Sequence, residues 1–277
     1  MRFTTVSALL QVFSFALASF YFDSGNTIIP KPGKKNIIGE DALYTEDLVL
    51  ALSDGVGSWA EEDVDSGLYS NKLMSNVHDF FPEHQAEYTA EPKKLLIRAA
   101  EADQETGSAT FVLAILDPVT GILRTAYIGD SGYIILRRSA DKSTFDIIFR
   151  SEEQQKEFNF PYQIGTNGNP PDLALSMEHQ LQVGDIVILG SDGLFDNLYD
   201  DMIRKALHLF SELPLAYTAD FLANLAFKLS IDPEYKSPFD VAGEQAGQEH
   251  KGGKSDDISV IVARLVEHKK EHQTHSK

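Results

Sequence analysis

The chain has no cysteine. That absence excludes a disulfide framework, thiolate ligation of a metal and any mechanism that needs a thiol nucleophile, cysteine-based phosphatases included. Positive charge is scarce as well: 24 lysines and arginines stand against 42 aspartates and glutamates, a formal net charge of -18. Nucleic acid is not an expected partner, because its phosphates would be repelled over most of the surface. Phosphoproteins stay open as substrates, since bound divalent metals would invert the sign locally. No hydrophobic run is long enough for a stable membrane span. The apolar stretch ending at Phe22 is interrupted by Gln11 and several serines, with Arg2 as its only positive charge. It reads as the first strand of the domain or as a targeting or secretory peptide over residues 1–20. The compartment stays open between an intracellular one, mitochondrial or cytoplasmic, and secretion.

Also missing are a Gly/Ser- or Pro-rich linker and a repeat of solenoid length. With 277 residues, 43% of them hydrophobic, one large domain over residues 20–265 is expected, ahead of a charged tail at 266–277. A monomer is expected.

What the chain does have is a recurring device. An apolar β-type stretch runs into an aspartate with glycine close behind at Val49-Leu50-Ala51-Leu52-Ser53-Asp54-Gly55, at Ala126-Tyr127-Ile128-Gly129-Asp130-Ser131-Gly132 and at Val187-Ile188-Leu189-Gly190-Ser191-Asp192-Gly193. Each strand delivers a carboxylate to a sheet edge, where glycine permits a turn or a close approach. Two acidic pairs, Glu40-Asp41 and Asp256-Asp257, stand before further strands. Converging carboxylates repel one another and are tolerated together mainly when cations neutralise them. No histidine lies beside these aspartates, so the oxygen-only donor set favours magnesium or manganese over zinc.

Between the motifs, Leu68, Leu73, Met74 and Val77 recur at helical spacing, and Pro92 opens a second helical segment with Leu95, Leu96, Ala99 and Ala100. Ala109 to Leu116 reads as a buried strand, and Asp117-Pro118-Val119-Thr120-Gly121 as a turn into a meander. Hairpin-linked strands with helices in pairs, and few βαβ alternations, point to an α+β fold with packed antiparallel sheets and helices outside.

Rival acidic motifs fit poorly. Asp192 to Asn197 lacks the spaced ligands of a calcium-binding loop, Asp54 has Val56 where an aspartyl phosphotransferase needs a second aspartate, and no phosphate-cradling Gly-Lys-Ser/Thr loop is present.

Together, Glu40-Asp41, Asp54-Gly55-Val56-Gly57, Gly107-Ser108-Ala109-Thr110, Gly129-Asp130-Ser131, Ser191-Asp192-Gly193-Leu194-Phe195-Asp196 and Asp256-Asp257-Ile258-Ser259-Val260 resemble the ordered motifs of the metal-dependent type 2C serine/threonine protein phosphatases. Asp54 to Trp59, Phe158 to Gly165, and Ser237-Pro238-Phe239 followed by Gly252-Gly253-Lys254 resemble the compact branch, whose best-known members are mitochondrial. The resemblance implies a four-layer αββα sandwich and hydrolysis of phosphoserine and phosphothreonine by a hydroxide bridging two Mn or Mg ions. It implies that Asp54 bridges both ions, that Gly55 binds through its carbonyl, and that Asp192 and Asp256 hold one ion. Glu40 and Asp41 would act on the metals or their waters, and Asp130, with Asp196, would serve a weaker third ion. Where relatives grip phosphate with an arginine this chain has Asn36, which leaves Lys34 or Lys35 to substitute. Val56 replaces a histidine often assigned to protonate the leaving group, so the general acid is unassigned. The alternative is a catalytically weak regulatory or interaction protein on the same fold.

Overall fold

The computed structural model describes residues 19–33 and 39–268. Its strands form two antiparallel sheets. The first runs β1 (Phe20–Ile29), β13 (Ile258–Glu267), β12 (Ile186–Gly190), β6 (Gly132–Arg138) and β7 (Phe145–Arg150). The second runs β11 (Leu175–Gln180), β5 (Ile122–Ile128), β4 (Ser108–Leu116), β3 (Val49–Gly55) and β2 (Asp41–Thr45), with β10 (Ile164–Gly165) pairing the start of β4. A short ribbon joins β8 (Gln155–Glu157) to β9 (Phe160–Pro161).

Three apolar layers hold this together. Between the sheets lie Leu50, Leu52, Val112, Tyr127, Tyr133, Val187, Leu189 and Ile261. Outside the second sheet, α1 (Ser66–Phe80) and α3 (Pro92–Ala102), with the short α2 (Gln85–Ala90) between them, pack Leu73, Val77, Leu95 and Leu96 onto Ala51, Phe111 and Leu113. Outside the first, α5 (Asp200–Leu209) and α6 (Leu215–Ser230) cover Ile188, Val260 and Val262 with Ile203, Leu207, Leu222 and Ala226. The short α4 (Asp192–Phe195) and α7 (Pro238–Gln245) complete that side. The αββα order explains why Val49 to Leu52 and Ile186 to Leu189 are wholly apolar instead of alternating: both faces of these strands are covered. The edge strand β11 is exposed along most of its length.

Local signals read from sequence hold with small shifts. The Asp65 carboxylate, not singled out from sequence, caps α1 by accepting from the Gly67 N–H at 3.0 Å. Leu73, Met74 and Val77 are buried as the spacing predicts, whereas Leu68 is 57% exposed and belongs to the solvent face. Pro92 occupies the first turn of α3. In the turn after β4, Asp117 Oδ1 accepts from Val119 N–H at 2.9 Å and Thr120 N–H at 3.2 Å.

The topology places the chemistry. Asp41 opens β2 directly opposite Asp54 near the end of β3, and Asp54 in turn faces Thr110 at the start of β4. In the other sheet Gly190, the last residue of β12, pairs with Gly132 and Val260. The loops carrying Asp130, Asp192 and Asp256-Asp257 therefore leave from one end of the sandwich, the end that holds Asp41 and Asp54.

Candidate active site

Asp41 is 1% exposed, and neither oxygen of its carboxylate has a hydrogen-bond partner. Burial pushes its pKa well up, the neighbouring Asp257 adds to this, and the nearby Ser259 hydroxyl opposes it without reaching hydrogen-bond geometry. Asp54 is raised for the same reason, burial first, and then by Asp41, Asp192, Asp256 and Asp130. Like charges about 4 Å apart repel by ~4 kcal/mol at an effective dielectric near 20. A carboxylate facing four others must therefore take up a proton or meet cations.

Asp192 begins α4, with Oδ1 buried and unpartnered. Its backbone can lie there because residue 193 is glycine: a Cβ at Gly193 would stand 2.0 Å from the Asp257 carbonyl oxygen. The glycines of the three motifs thus differ in purpose. Gly193 permits close approach, whereas Gly129, at φ +106°, makes the left-handed turn that presents Asp130. Asp130 is buried, which raises its pKa, and Asp192 raises it further. Asp196, one turn beyond Asp192, is pushed to about 7 by burial, against the pull of Lys254.

The structure brings together Asp41, Asp54, Asp130, Asp192, Asp196 and Asp256. Glu40 is buried beside them, its carbonyl accepting from the Gly55 N–H at 3.1 Å and its Oε2 lying against Gly57. Lys34 and Lys35, expected to grip phosphate, lie outside the described residues. Two other lysines enter the site instead. The Lys31 ammonium is 3.5 Å from Asp256, and Lys254 donates to Asp192 and Asp196. Sequence reasoning passed over both; the usable signals were Lys31 on the connection out of β1 and Lys254 two places before Asp256.

Asp257 has a mechanical role. Its Oδ1 accepts from the Lys31 N–H at 2.6 Å and its Oδ2 from the Glu40 N–H at 2.8 Å. One carboxylate thereby ties both ends of the β1–β2 connection to the start of β13. An amide offers a single acceptor oxygen, so Asp257→Asn should strand one buried N–H at a cost of about 1–3 kcal/mol. The expected result is a lower melting temperature, with faster hydrogen exchange at the Lys31 or Glu40 amide; unchanged exchange at both would remove this role.

Trp59 and the Phe158 to Gly165 segment are tied into the fold. Trp59 Nε1 donates to Ser108 Oγ at 2.6 Å, Ser108 Oγ donates to Gln163 Oε1 at 2.5 Å, and Phe158 packs on Phe239 with ring centroids 4.8 Å apart.

Among the described residues no three of the acidic side chains stand in a geometry that would enclose one ion, and Asp192 and Asp196 are paired with Lys254. The residues nonetheless fit a pair of hard divalent cations. Buried carboxylate oxygens on Asp41 and Asp192 lack partners, and burial together with mutual repulsion disfavours the charged state that a cation would restore.

Residues 44–266 match the family model of stage II sporulation protein E, SpoIIE. The probable protein phosphatase 2C 26 of Arabidopsis thaliana is 36% identical, over 86% of this chain and 82% of the relative. The protein phosphatase PTC7 homolog fig of Drosophila virilis is 34% identical, over 83% of this chain and 79% of the relative. Among solved structures, the photosystem II phosphatase PBCP superposes with a TM-score of 0.79 at 34% identity, covering 88% of this chain and 99% of that one. The catalytic domain of the serine threonine protein phosphatase PstP, in complex with 2 manganese ions, shares the fold at a TM-score of 0.64 and 18% identity, covering 90% and 100%. With relatives this similar along most of its length, and with their fold, the chain belongs to the protein phosphatase 2C family and is a phosphoprotein phosphatase.

Proposed function

We propose that the chain hydrolyses phosphoserine and phosphothreonine in proteins, using two manganese or magnesium ions held at the end of the sandwich. The observation that carries this is Asp41, whose buried carboxylate has two unpartnered oxygens beside Asp54. Asp54, the Gly55 carbonyl, Asp192 and Asp256 would hold the ions, and Glu40 and Asp41 would orient what the ions bind. Two such ions supply Lewis acidity toward an attacking water and toward the phosphoryl oxygens.

The chain's own residues do the rest. The strands fix Asp41 and Asp54 opposite each other on one sheet, so the fold sets their mutual geometry before substrate arrives. Lys31, at the more open side of the site, brings positive charge within reach of an incoming phosphate, with Lys34 and Lys35 on the same connection. Its backbone anchor to Asp257 keeps that end of the connection in place. With valine at position 56, no histidine of the motif is present to protonate the leaving oxygen, so that proton comes from another group of the site or from solvent.

The test is turnover of an aryl phosphate and of phosphoserine, phosphothreonine and phosphotyrosine peptides with manganese or magnesium, then with chelator. Hydrolysis of the first two peptides that chelation abolishes and added metal restores is expected. Full activity in chelator, or none on any substrate with ample metal, would overturn the reading.

A further inference from the structure

A lysine on a surface loop ordinarily keeps its ammonium in water. Lys254 does not. Its side chain is 13% exposed, and its Nζ donates to Asp192 Oδ2 and, at 2.7 Å, to Asp196 Oδ2, with Asp256 Oδ2 at 3.8 Å. Asp130 and Glu153 face the same ammonium, which partly offsets the rise in pKa that burial causes in each.

The backbone presets this position. Asn197 holds the Lys254 main chain from both sides: Oδ1 accepts from its N–H and Nδ2 donates to its carbonyl, each at 2.9 Å. Ser237 Oγ donates to the Gly252 carbonyl at 2.7 Å. Gly253 passes so close to α6 that a Cβ would lie 2.0 Å from the Leu229 carbonyl oxygen. None of these contacts uses the lysine's charge, so the loop aims Lys254 independently of the carboxylates. The ammonium then rests 4.8 Å from the centre of the Phe239 ring, a favourable place for a cation.

Asp130 and Asp196, beside Asp192, are the residues around which a third, weaker ion would be sought. An ammonium bonded to Asp192 and Asp196 already fills that space and compensates their charge, and a divalent cation entering it would be repelled. Asp192 divides its carboxylate accordingly: Oδ2 engages Lys254 while Oδ1 stays buried and unpartnered, available to another cation.

We propose that Lys254 is this chain's built-in replacement for a third metal ion, so that the site takes up two divalent cations and no more. This rests on the two-ion reading above. Lys254 acts as a positioning residue, holding Asp192 and Asp196 in one arrangement through a fixed charge instead of an exchangeable one.

The experiment counts manganese bound per chain, by calorimetric titration and by loss of the free-ion paramagnetic resonance signal. It compares the native chain with Lys254→Met, Lys254→Arg and the double variant Lys254→Met/Asp196→Asn. Methionine keeps the unbranched stem without its charge, and Lys254→Gln gives the same count should the methionine variant not fold. Two ions are expected in the native chain and in Lys254→Arg. A third, weaker one should appear in Lys254→Met and vanish in the double variant. Three ions in the native chain would overturn the proposal and leave the phosphatase reading standing. So would two in Lys254→Met, even with tighter binding, because the lysine would then be only a competitor for Asp192. A native chain that binds no manganese would remove the two-ion reading and this proposal with it.

Discussion

Asp54→Asn is expected to lower kcat/KM on an aryl phosphate by more than about a hundredfold in saturating manganese. The bound is conservative, since removing groups that merely support metal ligands already costs roughly 10–100-fold. Asp54 lies at the centre of the cluster, with Asp41, Asp192, Asp256 and Asp130 all acting on it. Asparagine preserves its shape and removes its charge, so the strand pairing to Asp41 and Thr110 survives. The change should also split activity from stability. In chelator the variant should melt higher than the native chain, because a buried charge among like charges is gone; with manganese it should gain less from the metal than the native chain does. A variant that keeps native turnover at equal manganese would remove Asp54 from the reaction.

That result bears on how the site was legible from sequence. The acidic motifs could be found because each follows an apolar run that only a doubly covered strand would carry, and the αββα packing bears out that reading at Val49 to Leu52 and Ile186 to Leu189. The opposition of Asp41 and Asp54 was not legible, because cross-strand register depends on how β2 turns back from β3, which no periodicity encodes. Lys254 and Lys31 were missed for a related reason. A lysine near an aspartate in sequence is usually solvated; the grip of Asn197 on one loop turns Lys254 inward, and that of Asp257 on the other holds a part-exposed Lys31 beside Asp256. Leu68 failed the helical stripe because the face of α1 is narrower than its apolar content, and one leucine at the first turn stays in water.

The metal-free protein should lose stability as pH rises from about 5.5 to 8, and manganese should reverse the loss. The sign follows from which state holds more protons. Asp41, Asp54 and Asp130 have folded pKa values raised well above the ordinary aspartate value of 3.8, and Asp196 is raised to about 7. Between the unfolded value and the raised one the native state binds more protons than the unfolded state, so stability falls with increasing pH across that window. Each kcal/mol moves the melting temperature of a domain this size by about 2–4 °C, so a drop of several degrees in chelator is expected. The overall charge of -18 pushes the same way by self-repulsion, and the variants separate the two causes. Asp41→Asn should flatten the slope, while neutralising exposed Glu61 should leave it nearly unchanged. Manganese at a hundred times its dissociation constant adds about 2.7 kcal/mol, which should raise the melting temperature at pH 8 by roughly 5–10 °C. It should do so less at pH 5.5, where protons compete for the same oxygens. A flat profile in chelator, or a metal-induced shift equal at both pH values, would mean that these carboxylates are not the groups the cations neutralise.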